Sequence, residues 1–196
     1  MSRDVATSDN ANRDSARILI GVSGGIAAYK IATLVSGLVK HGHDVTVIMS
    51  QAATRFVGPD TFRALSGNDV YTSIFEPSMP LGAHVSVTKE TDLFLVAPAT
   101  ADTIAAMAHG SANNLLNAAF LAFDGPVLCA PAMNTRMWNK PAVQRNIAQL
   151  IDDGIQMVGP ETGWLSCREQ GVGRMAEPDT LMEAIISTLS TTDNDV

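Results

Sequence analysis

The feature that most restricts this chain is a series of short runs that are apolar on both faces, separated by segments with helical spacing. "RILIGV" (17–22), "DVTVIM" (44–49), "DLFLVAPA" (92–99) and "PVLCAPA" (126–132) read as buried strands, with "IQMV" (155–158) as a shorter one. Helical periodicity falls over residues 26–41, 59–65, 101–109, 113–123, 141–153 and 179–190. A strand with two apolar faces needs cover on both, and the intervening helices supply it. The pattern predicts an α/β fold: a single doubly wound parallel sheet, a Rossmann-like three-layer sandwich with right-handed crossovers. Ligands of such folds bind at the carboxyl ends of the strands. The loops at 22–26, 49–53, 97–103 and 130–138 each follow a strand, so they should gather along that edge.

A chain of 196 residues has room for one domain with a sizeable core. That domain is predicted over 17–190, between polar, aperiodic tails at 1–16 and 191–196 that read as disordered. With aromatics at 5%, Ala, Val, Leu, Ile and Met must fill the core. A net charge of −7 and the lack of a basic cluster argue against nucleic acid as a partner. Basic residues scattered near the loops suit a small anionic ligand instead. Two cysteines, Cys129 and Cys167, are too few for a disulfide framework or a zinc site, so no metal is expected. They fit a reducing, cytoplasmic setting. No apolar run reaches transmembrane length, and no membrane partner is expected.

The first strand runs into "VSGGIAAYK" (22–30). Small residues at a strand-to-helix turn let backbone N–H groups approach an anion; a plain tight turn reads the same way. The segment is neither GxGxxG nor a P-loop. The second strand ends at Ser50, where a dinucleotide site would place an acidic residue for the ribose. A hydroxyl suits a phosphate better, so the two loops favour a mononucleotide. "APATADT" (97–103) is rich in small residues and hydroxyls, which admit a flat ring, or equally make a proline turn with a Thr100 or Asp102 cap. His84, in "LGAHVSVT", precedes a β-like segment and has no metal-ligand spacing. His41 and His43 flank a helix-ending glycine, where cations suit the dipole. Cys129 reads as core filling. Cys167 lies in the Gly-rich "GWLSCREQGVGRM" (163–175), either as a thiol activated by nearby arginines or as an idle surface thiol.

"PAMNTRMW" (131–138) is the most specific segment. It fits the PxMNxxMW pattern of the homo-oligomeric flavin-containing Cys decarboxylases at every fixed position. "SGGIAAYK", "APATADT", the histidine of "GAHVSV" and "GWLSCREQGVGRM" follow in that family's order. The resemblance spans roughly residues 17–180. It is closest to the branch that acts on 4′-phosphopantothenoylcysteine in coenzyme A biosynthesis.

The resemblance implies a flavoprotein sandwich that binds FMN. The phosphate would lie near Ser23, Gly24, Gly25 and Ser50. The ring would lie against Thr100, Ala101, Asp102 and Thr103, with Ala132 nearby. His84 would be catalytic, Asn134 would hold the substrate carboxylate, and Met133 and Met137 would enclose it. Cys167 would be the reducing, proton-donating cysteine. The implied chemistry oxidises the thiol-bearing carbon to a thioaldehyde at the expense of FMN. Its C=S bond accepts the electrons that CO2 leaves behind, and the resulting ene-thiol is reduced to 4′-phosphopantetheine. Two positions depart from the family: Asp102 stands where Asn is usual, and Ser166-Cys167-Arg168 replaces Ala-Cys-Gly. The family further implies a homo-oligomer, a trimer or a dodecamer of trimers. Its bacterial members are often fused to a C-terminal synthetase domain, for which this sequence has no room. Three other readings are a peptidyl-cysteine decarboxylase of lantibiotic type, a flavin prenyltransferase and a non-catalytic flavin-binding regulatory subunit. The cysteine loop argues against the first, PxMNxxMW against the second, and the retention of His84, Asn134 and Cys167 against the third.

Overall fold

The computed structural model describes residues 15–75 and 82–192; most of the two expected tails, 1–14 and 193–196, lies outside the described residues. The chain runs β1 (Arg17–Val22), α1 (Ala28–Lys40), β2 (Asp44–Met49), a 3-10 turn (Ala53–Arg55), α2 (Pro59–Ser66), β3 (Val70–Tyr71) and α3 (Ala83–Thr88). It continues with β4 (Leu93–Ala99), α4 (Ala101–Ala108), α5 (Leu115–Ala122), β5 (Val127–Pro131), α6 (Thr135–Trp138) and α7 (Pro141–Asp152). Last come β6 (Gln156–Met157), β7 (Glu161–Trp164), β8 (Gln170–Arg174) and α8 (Pro178–Thr192).

Six strands form one sheet in the order β3-β2-β1-β4-β5-β6, with every pairing parallel. The expected doubly wound α/β architecture is thus present. Successive residues of a strand face opposite sides, and the core splits accordingly. Ile18, Ile20 and Val22 of β1 join a cluster with α1 and α8; Leu19 joins Phe94, Leu116 and Ile147 on the other side. Gly21 lets α5 close on the sheet, because a Cβ there would stand 2.9 Å from Leu116 Cγ. The order reverses between β1 and β4, so the loops after these strands diverge and leave a crevice at their carboxyl ends.

Local chemistry fixes the helix starts near this crevice. Thr100, Asn114 and Asn134 each cap a helix, their side chains accepting from the N–H of Thr103, Asn117 and Met137. In α5 the Oδ1 of Asn117 is buried with no partner among the described residues.

Two expectations needed correction. "HVSVT" alternates like a strand, yet it forms α3 and packs on α5. Val85 is 51% exposed, so the alternation did not follow burial. The Gly-rich stretch 163–175 is not an open loop but mostly the antiparallel hairpin β7–β8, separate from the main sheet.

Candidate active site

A cavity of about 580 Å³ opens at the carboxyl ends of β1, β4 and β5. That size falls among the ~300–1,000 Å³ clefts that hold small molecules and cofactors. The loop after β1 forms one wall. Gly24 lies directly on the loop after β2, since a Cβ there would fall 2.3 Å from that of Ala52. The N–H groups of Gly24, Ile26 and Ala27 have no acceptor among the described residues, so donors collect at the N-terminus of α1. Ser50 accepts from the Ala53 N–H at 3.2 Å, which leaves its hydroxyl proton available.

Ser23 is 1% exposed and acts as a staple. Its hydroxyl donates to Pro98 O at 2.6 Å and accepts from the Thr100 N–H at 3.0 Å. The loops after β1 and β4 are thereby joined. Thr100 and Ala101 line the cavity. Thr103 is buried, with its Oγ1 3.1 Å from that of Thr100. Asp102 is exposed in the first turn of α4, where a carboxylate suits the helix dipole, and it does not line the cavity.

After β5, the Ala132 N–H donates to Ala99 O at 3.0 Å, and Ala132, Met133, Asn134 and Met137 all face the cavity. Asn134 gives its Oδ1 to the Met137 N–H at 2.8 Å. Its amide nitrogen is left to donate. Met133 and Trp138 pack on the second core cluster, which anchors "AMNTRMW" to the body of the protein.

The hairpin β7–β8 covers the far side with Trp164, Leu165, Ser166 and Gly173 to Met175. It is docked on the segment after β5. Gly173 O accepts from the Met133 N–H at 2.9 Å, and Val172 O accepts from Thr135 Oγ1 at 2.8 Å. Cys167 stands exposed at the hairpin tip, its Sγ 3.9 Å from Glu169 Oε2, and Arg168 beside it takes φ 64°. Neither Cys167 nor His84 lines the cavity. His84 sits in the first turn of α3, against α5. Cys129 is buried in β5, and burial pushes its thiol up to about 12.

The sequence reading missed Lys30 and Arg174, which both line the cavity. Lys30 is 8% exposed and lies on the core-facing stripe of α1, with Ile31 and Leu34. A lysine in register with buried apolar positions was the available signal. No group of His, Cys, Asp and Glu among the described residues could hold a metal. No described helix is long and apolar enough to cross a membrane.

The arrangement offers hydrogen-bond donors for an anion at one end, small and apolar walls for a flat ring, and an amide nitrogen at the other end. Comparisons with known proteins converge on the same kind of molecule. The bifunctional coenzyme A biosynthesis protein CoaBC of Bacillus subtilis is 45% identical over 167 residues, which are 85% of this chain and 41% of that protein. This chain therefore spans about two-fifths of the length of the curated relatives it matches. The FMN-dependent cysteine decarboxylase SpaF superposes with a TM-score of 0.79 at 31% identity, over 92% of this chain and 98% of that one. A mutant PPC decarboxylase complexed with pantothenoylaminoethenethiol gives 0.78 at 27% identity, over 87% of this chain and 96% of that one. The Flavoprotein family model matches residues 6–190. By that match the chain belongs to the Flavoprotein family.

Proposed function

We propose that this protein binds FMN and decarboxylates 4′-phosphopantothenoylcysteine to 4′-phosphopantetheine, a step of coenzyme A biosynthesis. One observation carries the reading. The amide nitrogen of Asn134, freed by the cap, shares a cavity with the open N–H donors of the β1 loop. One end suits a carboxylate and the other a phosphate. The similarity to CoaBC supports the pathway, and the similarity to PPC decarboxylase supports the substrate.

The residues divide the work. Gly24, Gly25 and Ser50 receive the FMN phosphate, while Ser23 holds their loop in place. Thr100, Ala101 and Ala132 bound the ring, and Asp102 and Thr103 belong to the turn that carries Thr100. FMN held there would supply the two-electron redox chemistry of the reaction, oxidation of the thiol-bearing carbon and later reduction of the ene-thiol. Asn134 fixes the carboxylate, and Met133 and Met137 keep water from it. Cys167 donates a proton as the ene-thiol is reduced and is reprotonated from solvent. His84 lies off the cavity of its own subunit. In this reading His84 serves the cavity of a neighbouring subunit, in a homo-oligomer built from trimers, and the protein works in the cytoplasm.

The test is the visible spectrum of the purified protein, followed by mass spectrometry of its product from 4′-phosphopantothenoylcysteine. A flavin spectrum with 4′-phosphopantetheine as product is expected. Unchanged substrate would defeat the assignment and direct the search to a peptidyl cysteine.

A further inference from the structure

Lys30 is a buried cation whose two acceptors lie on one short connection. Its Nζ donates to Met175 O at 3.3 Å and to Glu177 Oε1 at 2.9 Å. Both acceptors lie where the chain leaves β8 for α8. Arg174, the last residue of β8, pairs with the same Glu177 oxygen. The Glu177 N–H reaches back to Glu161 Oε1, at the start of β7, at 3.4 Å. Both feet of the hairpin thus meet at one point, and Lys30 ties that point to α1.

Filling a core position does not explain this choice. The rest of the α1 stripe is Ala28, Ile31, Leu34, Val35 and Leu38, and a methionine at position 30 would bury with no polar group to satisfy. Taking an ammonium out of water is unfavourable unless hydrogen bonds replace its hydration. Burial, with the nearby Arg174, does lower the Lys30 pKa. Here the replacement bonds go to the hairpin's exit.

The register explains what the tie governs. β7 and β8 pair from Glu161↔Arg174 at the feet to Trp164↔Gln170 near the tip, so a tilt at the feet displaces the tip that bears Cys167. The flank is already fixed on Met133 and Thr135. The Lys30 tie is a second fastening, at the feet.

We propose that Lys30 is a positioning residue: by holding the feet of the β7–β8 hairpin, it fixes the tip that carries Cys167 for the reduction step. This rests on the function proposed above. If Cys167 is misplaced, CO2 still leaves, but the ene-thiol escapes unreduced and the two electrons taken from the substrate's thiol-bearing carbon go to dissolved dioxygen instead. The readout is therefore the ratio of ene-thiol-derived product to saturated thiol per CO2 released.

The full-length protein loaded with FMN is compared as wild type, Lys30→Met, Glu177→Gln and Lys30→Arg. Amide hydrogen exchange over residues 161–174 is recorded alongside the product ratio. In Lys30→Met and Glu177→Gln the ratio is expected to rise at least tenfold, with faster exchange in the hairpin. Lys30→Arg should bring both back toward wild type. Glu177→Gln carries the test alone if Lys30→Met does not fold. An unchanged ratio in an active protein overturns the proposal, whether or not exchange quickens. Loss of CO2 release in Lys30→Met with FMN still bound also overturns it, because Lys30 would then serve the decarboxylation itself. A wild-type protein that releases no CO2 sinks the proposed function, and the positioning role falls with it.

Discussion

Asn134 and Met137 are joined by a cap that decides which end of the Asn134 amide faces the cavity. The Met137 N–H needs an acceptor and takes Oδ1 at 2.8 Å, so the nitrogen is the end that remains. Asn134→Asp separates the two roles. Aspartate caps as well as asparagine, so the urea midpoint should correspond to a change within ~0.5 kcal/mol. The donor is lost, however, and a carboxylate would face the substrate carboxylate. A hydrogen bond to a charged group contributes ~1.5–3 kcal/mol, so CO2 release should fall by roughly 10–150-fold. A stable Asn134→Asp protein with wild-type turnover would remove Asn134 from substrate binding.

Gly173 has no freedom to carry a side chain. Its φ is +129°, and a Cβ would stand 2.2 Å from Met133 O, the backbone of the segment on which the hairpin rests. Gly173→Ala must lift β8 or strain it, at ~1–3 kcal/mol. Limited trypsin digestion should show cleavage at Arg168 accelerating relative to wild type, while the thermal unfolding midpoint drops by roughly 2–12 °C. Identical digestion patterns would show that the hairpin is not seated as described.

The central strands β1, β2, β4 and β5 were legible because burial on both faces leaves an unmistakable apolar run, whereas the two-residue edge strand β3 is too short to leave one. β1 and β2 fall on the residues read from the sequence, Arg17–Val22 and Asp44–Met49. The three loops that wall the cavity were legible for a related reason: each follows such a strand. α3 was not, because "HVSVT" has a strand's period while its valines are sorted by contact with α5 rather than by alternation. β7–β8 hid behind glycines that mark close approach to Thr135 and Met133 rather than a loose loop. Lys30 was passed over because its partners, Met175 and Glu177, lie 145 and 147 residues further on. His84 was read as preceding a strand because of that alternation in α3, whereas it sits in the first turn of α3 and does not line the cavity.

The two cysteines should differ sharply in reactivity. Cys129 is fully buried, and burial pushes its thiol up to about 12, so it stays a thiol at pH 8. Cys167 is exposed at the hairpin tip. An aromatic disulfide reagent should modify one thiol per native chain at pH 8 and the second only after unfolding in guanidinium. Modification of both at similar rates in the native protein would contradict the burial of β5. Cys167→Ser should leave no reactive native thiol and shift the product toward the unreduced ene-thiol. Normal 4′-phosphopantetheine from that variant would make Cys167 an idle thiol.

His43 ties the start of β1 to the turn after α1 and makes that tie sensitive to pH. The Ala16 N–H donates to His43 Nδ1 at 3.2 Å, which requires that nitrogen to be unprotonated. Burial, and then the charge of His41, lower the His43 pKa from its ordinary 6.5. The unfolded chain therefore takes up the proton first as pH falls. The contribution is whole above about 6.5 and is lost as pH drops below that value and through the lower folded-state pKa. Urea midpoints measured from about pH 7.5 to 5.5, a window above the ordinary carboxylate range, should decline for wild type. His43→Gln keeps an acceptor but does not titrate, so its midpoints should decline less over the same window. Parallel slopes for the two proteins would show that folding does not shift the His43 titration and that the Ala16 bond does not hold that nitrogen unprotonated.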